Sequence, residues 1–143
     1  MRSTRRGYRS DLDSQPVSAL ARLIGLEVNQ VWVWWSLRLV FDLGAPGEKD
    51  TYVDFTEFDF TDPNGQTRHV DVEADPIGAG QVLAVLHQRV TDLSVDQWEL
   101  RIAFANGARL VCPPHPRYEA WAASIPGEPS IFCPPGGDAG PTD

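Results

Sequence analysis

The fold is decided by residues 97–112, which read QWELRIAFANGARLVC. In the first half of this stretch, large apolar side chains alternate with charged or small ones, as in a strand that buries one face. Asn106-Gly107 then favours a tight hairpin, because both residues tolerate positive φ. The stretch therefore predicts two antiparallel strands, the second of which covers residues 109–112.

Further strands are predicted where apolar and polar side chains alternate with a period of two. They cover residues 26–35, 36–43, 51–60, 67–74 and 90–95. The sequence Asp-Pro-Asn-Gly at residues 62–65 is a turn by composition. We therefore expect a hairpin in which residues 51–60 pair with residues 67–74.

One helix is predicted, over residues 77–89. Asp75 can accept the free amide hydrogens of the first turn, and Pro76 loses no hydrogen bond at the first helical position. The apolar residues expected on its buried face are Val82, Leu83, Leu86 and Val90. Together with the strands, this helix predicts an α+β fold with a single, mainly antiparallel β-sheet and one helix packed on one face.

The chain has 143 residues, which is enough for one domain. We expect a disordered basic tail over residues 1–15, a single α+β domain over 16–133 and a disordered Pro/Gly-rich tail over 134–143. No apolar run reaches the ~18 residues of a membrane span, and no apolar core follows the N-terminal arginines as a secretory signal requires. A cytoplasmic protein that does not contact a membrane is therefore expected.

The charge of the chain is strongly acidic and unevenly distributed. Twenty acidic and twelve basic residues give a formal net charge of −8. Residues 1–10 hold four arginines and no acid, so the rest of the chain has eight basic and twenty acidic residues and a net charge of −12. Because nucleic acids need clustered cations, no nucleic-acid partner is expected, whereas a basic protein partner would be attracted.

The two cysteines, Cys112 and Cys133, are expected to be buried thiols. With His115 they make three potential zinc ligands, whereas a closed structural site needs four. A nucleophilic pair of Cys112 and His115 would need a hydrogen bond across two prolines, which place the two residues poorly for it. We therefore expect no metal site.

No other pattern in the sequence predicts a cofactor or a catalytic centre. The Gly-Ala-Gly at residues 78–80 precedes the helix, but a dinucleotide-binding loop needs a third glycine where the chain has Leu83. Asp71, Glu73 and Asp75 would project from one strand face at intervals of ~7 Å, and a solvated edge face is the expected interpretation. We expect a protein that is not an enzyme and needs no cofactor.

Three tryptophans lie within four positions, at Trp32, Trp34 and Trp35. On a strand, Trp32 and Trp34 point to the same side and Trp35 to the opposite side. A sheet with tryptophan on both faces is either covered on both or presents aromatic surface to a partner. The cluster is therefore a candidate binding surface.

Four short motifs stand out in the C-terminal half of the chain. They are Phe104-Ala105-Asn106-Gly107, Leu110-Val111, Arg117-Tyr118-Glu119-Ala120-Trp121 and Gly136-Gly137. The chain thereby resembles a bacterial family of uncharacterised small proteins marked by a C-terminal Tyr-Glu-Ala-Trp motif, over residues 23–137 and most closely over 97–121. This resemblance implies a hydrophobic strand pair, a short helix and an F-x-x-G hairpin before that motif. It also implies a likeness to immunity proteins, which neutralise bacterial toxins.

The Tyr-Glu-Ala-Trp motif admits two interpretations. On a helical turn, Tyr118 and Trp121 would share a face, with Glu119 beside them. The two aromatic rings would then close the open end of the sheet as a structural plug, or they would form a recognition surface.

The predicted function is that of a non-enzymatic, acidic protein that binds a protein partner, with neutralisation of a basic toxin as its most specific version. The candidate contact residues are Trp32, Trp34, Trp35, Tyr118, Glu119 and Trp121. Self-association through the tryptophans is one alternative. The other is a small-ligand-binding protein or enzyme with a pocket near Tyr118, Glu119 and Trp121, joined by the acids of residues 71–75.

Overall fold

The computed structural model describes residues 17–137 and contains two five-stranded antiparallel β-sheets. The strands are β1 (Gln30–Val33), β2 (Leu37–Asp42), β3 (Thr51–Phe55), β4 (Glu57–Thr61), β5 (Thr67–Asp71), β6 (Val90–Asp96), β7 (Glu99–Phe104), β8 (Arg109–Cys112), β9 (Trp121–Ser124) and β10 (Ile131–Phe132). The first sheet has the order β1-β2-β3-β9-β10, and the second has the order β5-β4-β8-β7-β6. Antiparallel pairing is confirmed, but the prediction of a single sheet is wrong.

The division into two sheets is set by a change of phase in residues 51–60. Val53 and Phe55 are buried at odd positions, whereas Phe58 and Phe60 are buried at even positions. A strand with side-chain period two cannot place both pairs on one face, so the predicted single strand breaks at Thr56. The chain passes there from β3 in the first sheet to β4 in the second.

Hydrogen bonds fix the break at Thr56. Its amide donates to the carbonyl of Ala120 at 3.2 Å, and its carbonyl accepts from the amide of Val72 at 3.1 Å. Beyond the break, β4 pairs with β5 in a register that runs from Glu57 opposite Asp71 to Thr61 opposite Thr67. The predicted hairpin is therefore present, but it pairs residues 57–61 with 67–71 rather than 51–60 with 67–74.

The hairpin predicted around Asn106-Gly107 is also present, as β7 and β8. Its loop has three residues, because the Phe104 amide donates to the carbonyl of Ala108 at 3.0 Å. Gly107 alone in this loop has positive φ, at +93°. The Asn106 side chain accepts from the Ala108 amide at 3.1 Å and donates to the carbonyl of Ala84 at 3.0 Å, which ties the loop to the helix.

The helix has ten residues: α1 (Pro76–Ala79) continues as a 3-10 helix over Gly80–Val85. Asp75 caps it, accepting from the amide of Gly78 at 3.0 Å as predicted. The predicted end at residue 89 is wrong, because the chain turns away where His87 has φ of 68° and gives its amide to the carbonyl of Val28.

The buried face of the helix differs from the prediction. Ala79, Val82 and Val85 are buried at intervals of three residues, the spacing at which side chains of a 3-10 helix align. Leu83 is 55% exposed, and Val90 belongs to β6. A second 3-10 helix, Val17–Leu23, buries Val17, Ala19, Leu20 and Leu23.

The inner faces of both sheets share one core. Phe55 and Phe58 meet edge to face across the break, with ring centroids 5.7 Å apart. Trp121, at the start of β9, is 1% exposed and lies 5.9 Å from the ring of Trp98 in the β6–β7 turn. Its indole N–H donates to the Trp98 carbonyl at 2.9 Å, which links the first sheet to the second.

The predicted tail at residues 1–15 lies outside the described residues, as do residues 138–143 of the other tail. At residues 134–137 the chain forms a turn in which the Gly136 amide donates to the carbonyl of His115 at 2.8 Å. Within residues 17–137, no helix combines the length and the apolar character needed to cross a bilayer.

The β6–β7 turn generates a prediction about stability. Gln97 and Trp98 form a two-residue loop between Asp96 and Glu99, and both have positive φ, at 52° and 66°. Because Asn adopts this conformation more readily than Gln, Gln97→Asn should raise the free energy of unfolding by about 0.5–1 kcal/mol. Urea denaturation measures the change. Gln97→Ala is the control, and the idea fails if both variants have the same stability.

Candidate functional site

One row of side chains crosses the outer face of the first sheet. The strand register aligns Trp32 of β1, Arg38 of β2, Asp54 of β3, Ala122 of β9 and Phe132 of β10. Tyr52, two residues before Asp54 on β3, points to the same side, and Trp34 reaches the row from the β1–β2 turn. We call this surface the aromatic face, comprising Trp32, Trp34, Arg38, Tyr52, Asp54 and Phe132.

Arg38 is the centre of the aromatic face. Its Nε and Nη2 donate to the two carboxylate oxygens of Asp54 at 2.7 and 2.9 Å. Its guanidinium carbon lies 3.6 Å from the ring centroid of Tyr52, 5.2 Å from that of Trp34 and 5.4 Å from that of Trp32. The hydrogen bond with Asp54 raises the pKa of Arg38, so the cation is retained. Cation–π contacts and a bidentate pair together hold the rings around one charge.

The rings of the aromatic face remain open to solvent. Trp32 is 37% exposed, Trp34 is 42% exposed and Phe132 is 47% exposed. The Trp32 indole N–H is satisfied by the Gln30 side chain at 2.7 Å. The polar groups of the face thus have partners within the chain, while its apolar area is still uncovered.

Trp35 lies at a different place from Trp32 and Trp34, but the predicted strand over residues 26–35 ends at Val33, so the turn between β1 and β2 and not strand alternation separates them. Trp35 is 72% exposed and lines a cleft of about 530 Å³, which we call the Trp35 cleft. The cleft is lined by Trp35, Ser36, Thr56, Asp71, Glu73, Tyr118, Glu119 and Pro135. Two of the predicted motif residues, Tyr118 and Glu119, therefore share a cavity with one of the predicted tryptophans.

Tyr118 is held by a polar cluster beside the cleft. Its ring stacks on His115, with centroids 3.6 Å apart and an interplanar angle of 11°. Its hydroxyl donates to Glu57 at 3.2 Å. His69 bridges Glu57 and Asp59 through its two ring nitrogens, at 2.5 and 2.8 Å.

The charges of this cluster shift two pKa values in opposite directions. Hydrogen bonds from His69, first with Asp59 and then with Glu57, raise the pKa of His69. The hydrogen bond with His69 lowers the pKa of Glu57. The charged forms of both residues are therefore favoured in the folded chain.

Residues Tyr118–Trp121 do not form the helical turn on which the two rings would share a face. Trp121 begins β9 and points into the core, whereas Tyr118 lies at the surface, so the two rings do not share a face. The pocket proposed near Trp121 is corrected accordingly: Trp121 packs against Trp98 and does not line the Trp35 cleft.

The three acids expected on one strand face are dispersed because β5 ends at Asp71. Asp71 accepts from the amide of Ala74 at 3.2 Å, and Asp75 caps the helix. Glu73 lines the Trp35 cleft together with Asp71.

Both cysteines are buried thiols. Burial raises the pKa of the Cys112 thiol far above its usual range, and its Sγ donates to the carbonyls of Glu57 and Ala120 at 3.3 and 3.4 Å. A protonated, buried thiol is a poor nucleophile. Among residues 17–137, no group of three or more His, Cys, Asp or Glu side chains is arranged to hold a metal ion.

Comparison with known proteins assigns a family. Residues 19–140 match a family described as a family of unknown function (DUF6188). The chain belongs to the DUF6188 family. The match includes both sheets of this DUF6188 domain and the helix that connects β5 to β6. No curated protein and no solved structure matches the chain.

Sequence reasoning missed several residues of the aromatic face in this DUF6188 domain: Arg38, Tyr52, Asp54 and Phe132. Arg38 and Asp54 are unremarkable as single residues of alternating strands. Their signal is the pairing of β2 with β3, which brings opposite charges across from each other beside Trp32. Phe132 could be assigned to the face only from the pairing of β10 with β9.

The two aromatic residues of the Tyr-Glu-Ala-Trp motif should differ in their effect on stability. Trp121→Phe removes a buried hydrogen bond and part of a buried ring, so the free energy of unfolding should fall by about 2–4 kcal/mol. Tyr118→Phe removes one exposed hydrogen bond and should lower it by less than ~1 kcal/mol. Urea denaturation of both variants tests this. Equal losses of unfolding free energy would contradict the placement of Trp121 in the core and of Tyr118 at the surface.

The His69 cluster predicts a dependence of stability on pH. Because the folded pKa of His69 is raised above its usual 6.5, its contribution is complete below that pH and is lost as the pH rises through the folded value. Glu57 adds stability that is lost as the pH falls through its lowered pKa, below 4.5. His69 is 59% exposed, so the effect should stay below ~1 kcal/mol.

The measurement compares the wild-type chain with His69→Asn by urea denaturation from about pH 5 to pH 9. The difference in unfolding free energy should be largest near pH 5–6 and should shrink at the alkaline end. A difference that is constant with pH would show that the ion pairs contribute nothing.

Proposed function

We propose that this chain is a non-enzymatic binding protein that contacts a protein partner through the aromatic face. The observation that supports the proposal is the exposure of Trp32 and Trp34 around an arginine that is already ordered. Tryptophan, tyrosine and arginine are the residue types most enriched among those that dominate binding energy. The aromatic face assembles all three on the outer face of one sheet.

The contacts within the aromatic face should reduce the entropic cost of binding a partner. Binding normally costs about 0.5–1.5 kcal/mol for each flexible side chain that becomes fixed. On the aromatic face, Asp54 and Tyr52 already hold Arg38, and Arg38 in turn contacts the rings of Trp32 and Trp34. A partner would thus cover apolar rings without first having to order them.

The charge favours a basic partner. With a formal net charge of −8, the chain attracts a cationic protein over long range and raises its rate of association. Neutralisation of a basic toxin is the most specific version of the proposal, and it is supported by the resemblance of the chain to a family whose members are similar in size and style to immunity proteins. We further propose the cytoplasm as the setting, because buried thiols at Cys112 and Cys133 suit a reducing compartment.

A photo-cross-linking amino acid in place of Trp34 tests the partner in the source cell. The same substitution at Ile77, which is 88% exposed on the helix, is the matched control. A partner of this surface should be captured from position 34 and not from position 77. The proposal is overturned if no protein is captured, or if both positions capture the same set.

The captured protein is then purified and its kinetics with this chain are measured. Trp34→Ala should speed dissociation by about 30-fold, equivalent to about 2 kcal/mol, whereas Ile77→Ala should leave it unchanged. High salt should slow association severalfold. For the toxin version, the partner expressed alone should arrest growth and this chain should restore it. Capture of a second copy instead would make the face a self-association surface and overturn that version.

A second candidate function, the binding of a small ligand, is favoured by the Trp35 cleft. Its volume of about 530 Å³ lies within the range of small-molecule sites, and Tyr118 and Glu119 line it. Thermal unfolding of the isolated chain distinguishes the two functions. A small ligand in the cleft would stabilise the folded chain against heat without any partner protein.

A further inference from the structure

The Trp35 cleft combines aromatic walls with negative charge. Trp35 and Tyr118 supply the aromatic rings, and Asp71, Glu73 and Glu119 supply the carboxylates. Of the residues that the structure describes, no lysine, arginine or histidine lines it. The cleft is a depression that opens to solvent, so a bound group would contact its aromatic and acidic lining and stay partly exposed.

We infer that the Trp35 cleft binds an organic cation, that is, a guanidinium or alkylammonium group. This inference rests on the second candidate function and names the class of its ligand. Aromatic rings attract such cations through the negative charge of their faces, and carboxylates pair with them directly. The two interactions act together only on a group that carries a positive charge on an apolar frame.

The carboxylates of the cleft are available to such a ligand. Asp71 uses one oxygen to accept from the amide of Ala74. Glu73 and Glu119 pair with no basic side chain among residues 17–137, and both are exposed. A cation would therefore gain new partners in the cleft without breaking an existing ion pair.

The aromatic walls are also suited to a cation. His115 covers one face of Tyr118, and Glu57 holds its hydroxyl, so the ring is fixed in orientation at the edge of the cleft. Trp35 is 72% exposed and would lose that exposure on binding. A bare metal ion would gain little from two aromatic rings, and an anion would meet three carboxylates.

The test uses two soluble probes of closely similar shape, of which one is charged and the other is neutral. N-acetylarginine amide carries a guanidinium, and N-acetylcitrulline amide is its uncharged isostere. Binding to the full chain is followed by the indole N–H resonance of Trp35 in ¹⁵N–¹H NMR spectra, assigned with Trp35→Phe. The arginine probe should shift this resonance saturably, and the citrulline probe should require at least a tenfold higher concentration.

Matched variants locate the site. Glu73→Gln and Glu119→Gln should each weaken binding of the arginine probe several-fold, and the double variant should weaken it at least tenfold. Glu48→Gln removes an exposed carboxylate outside the cleft and should leave binding unchanged. Tetramethylammonium should compete, since it offers charge without hydrogen bonds and depends on the aromatic walls.

The source of the cation is distinguished by a variant in which Arg2, Arg5, Arg6 and Arg9 are all glutamine. Tighter binding of the probe to this variant, lost again with Glu119→Gln, would mean that the chain's own arginines compete for the cleft. Unchanged binding would leave a cation from outside the chain as the ligand.

Three outcomes would overturn the inference. Equal binding of the arginine and citrulline probes would remove the role of charge, and unchanged binding by the double variant would place the cation elsewhere. If N-acetylaspartate amide shifts Trp35 and the arginine probe does not, the cleft binds ligands of another class and the second candidate function stands. If no probe shifts Trp35, both the inference and that candidate function fail.

Discussion

The fold depends on one constraint, the change of side-chain phase at Thr56. Phe55 and Phe58 must both be buried, yet one occupies an odd position and the other an even position, so a single continuous strand would expose one of them. The chain resolves the conflict by changing sheets between them. The amide of Thr56 bonds to Ala120, where the chain returns to the first sheet on its way to β9. Both crossings between the sheets therefore meet at one point.

The two candidate sites follow from this crossing. The first sheet turns its inner face to the common core, so its outer face is left to carry Arg38 and the rings around it. The Trp35 cleft includes Thr56 itself, together with Tyr118 and Glu119 from the second crossing. Trp34 and Trp35 are neighbours in sequence, but they serve different surfaces because they belong to a tight turn at the edge of the sheet.

Local patterns predicted much of the fold. The strands at residues 99–112, the turn at 62–65 and the cap at Asp75 depend on neighbouring residues and are all present. The number of sheets depends on the change from buried odd positions at Phe55 to buried even positions at Phe58. The sequence carries this signal, but strands were predicted from alternation alone, which does not reveal a change of phase. The pairing of Arg38 with Asp54 could not be predicted, since register between β2 and β3 is a property of the assembled sheet. The role of Trp121 could be predicted only from the pairing of β9 with β3, which joins residues more than sixty positions apart along the chain.

The order of strands also has a consequence for how the chain folds. All five strands of the second sheet come from residues 57–112, whereas the first sheet joins residues 30–55 to residues 121–132. The second sheet is thus an insertion within the first in sequence, and it can form from its own hairpins. The first sheet must close a loop of that whole length before β9 can lie beside β3, and such long-range closure slows folding. During synthesis, β3 keeps an unpaired edge until residues 121–124 arrive, so this edge is the segment most exposed to mispairing with another chain.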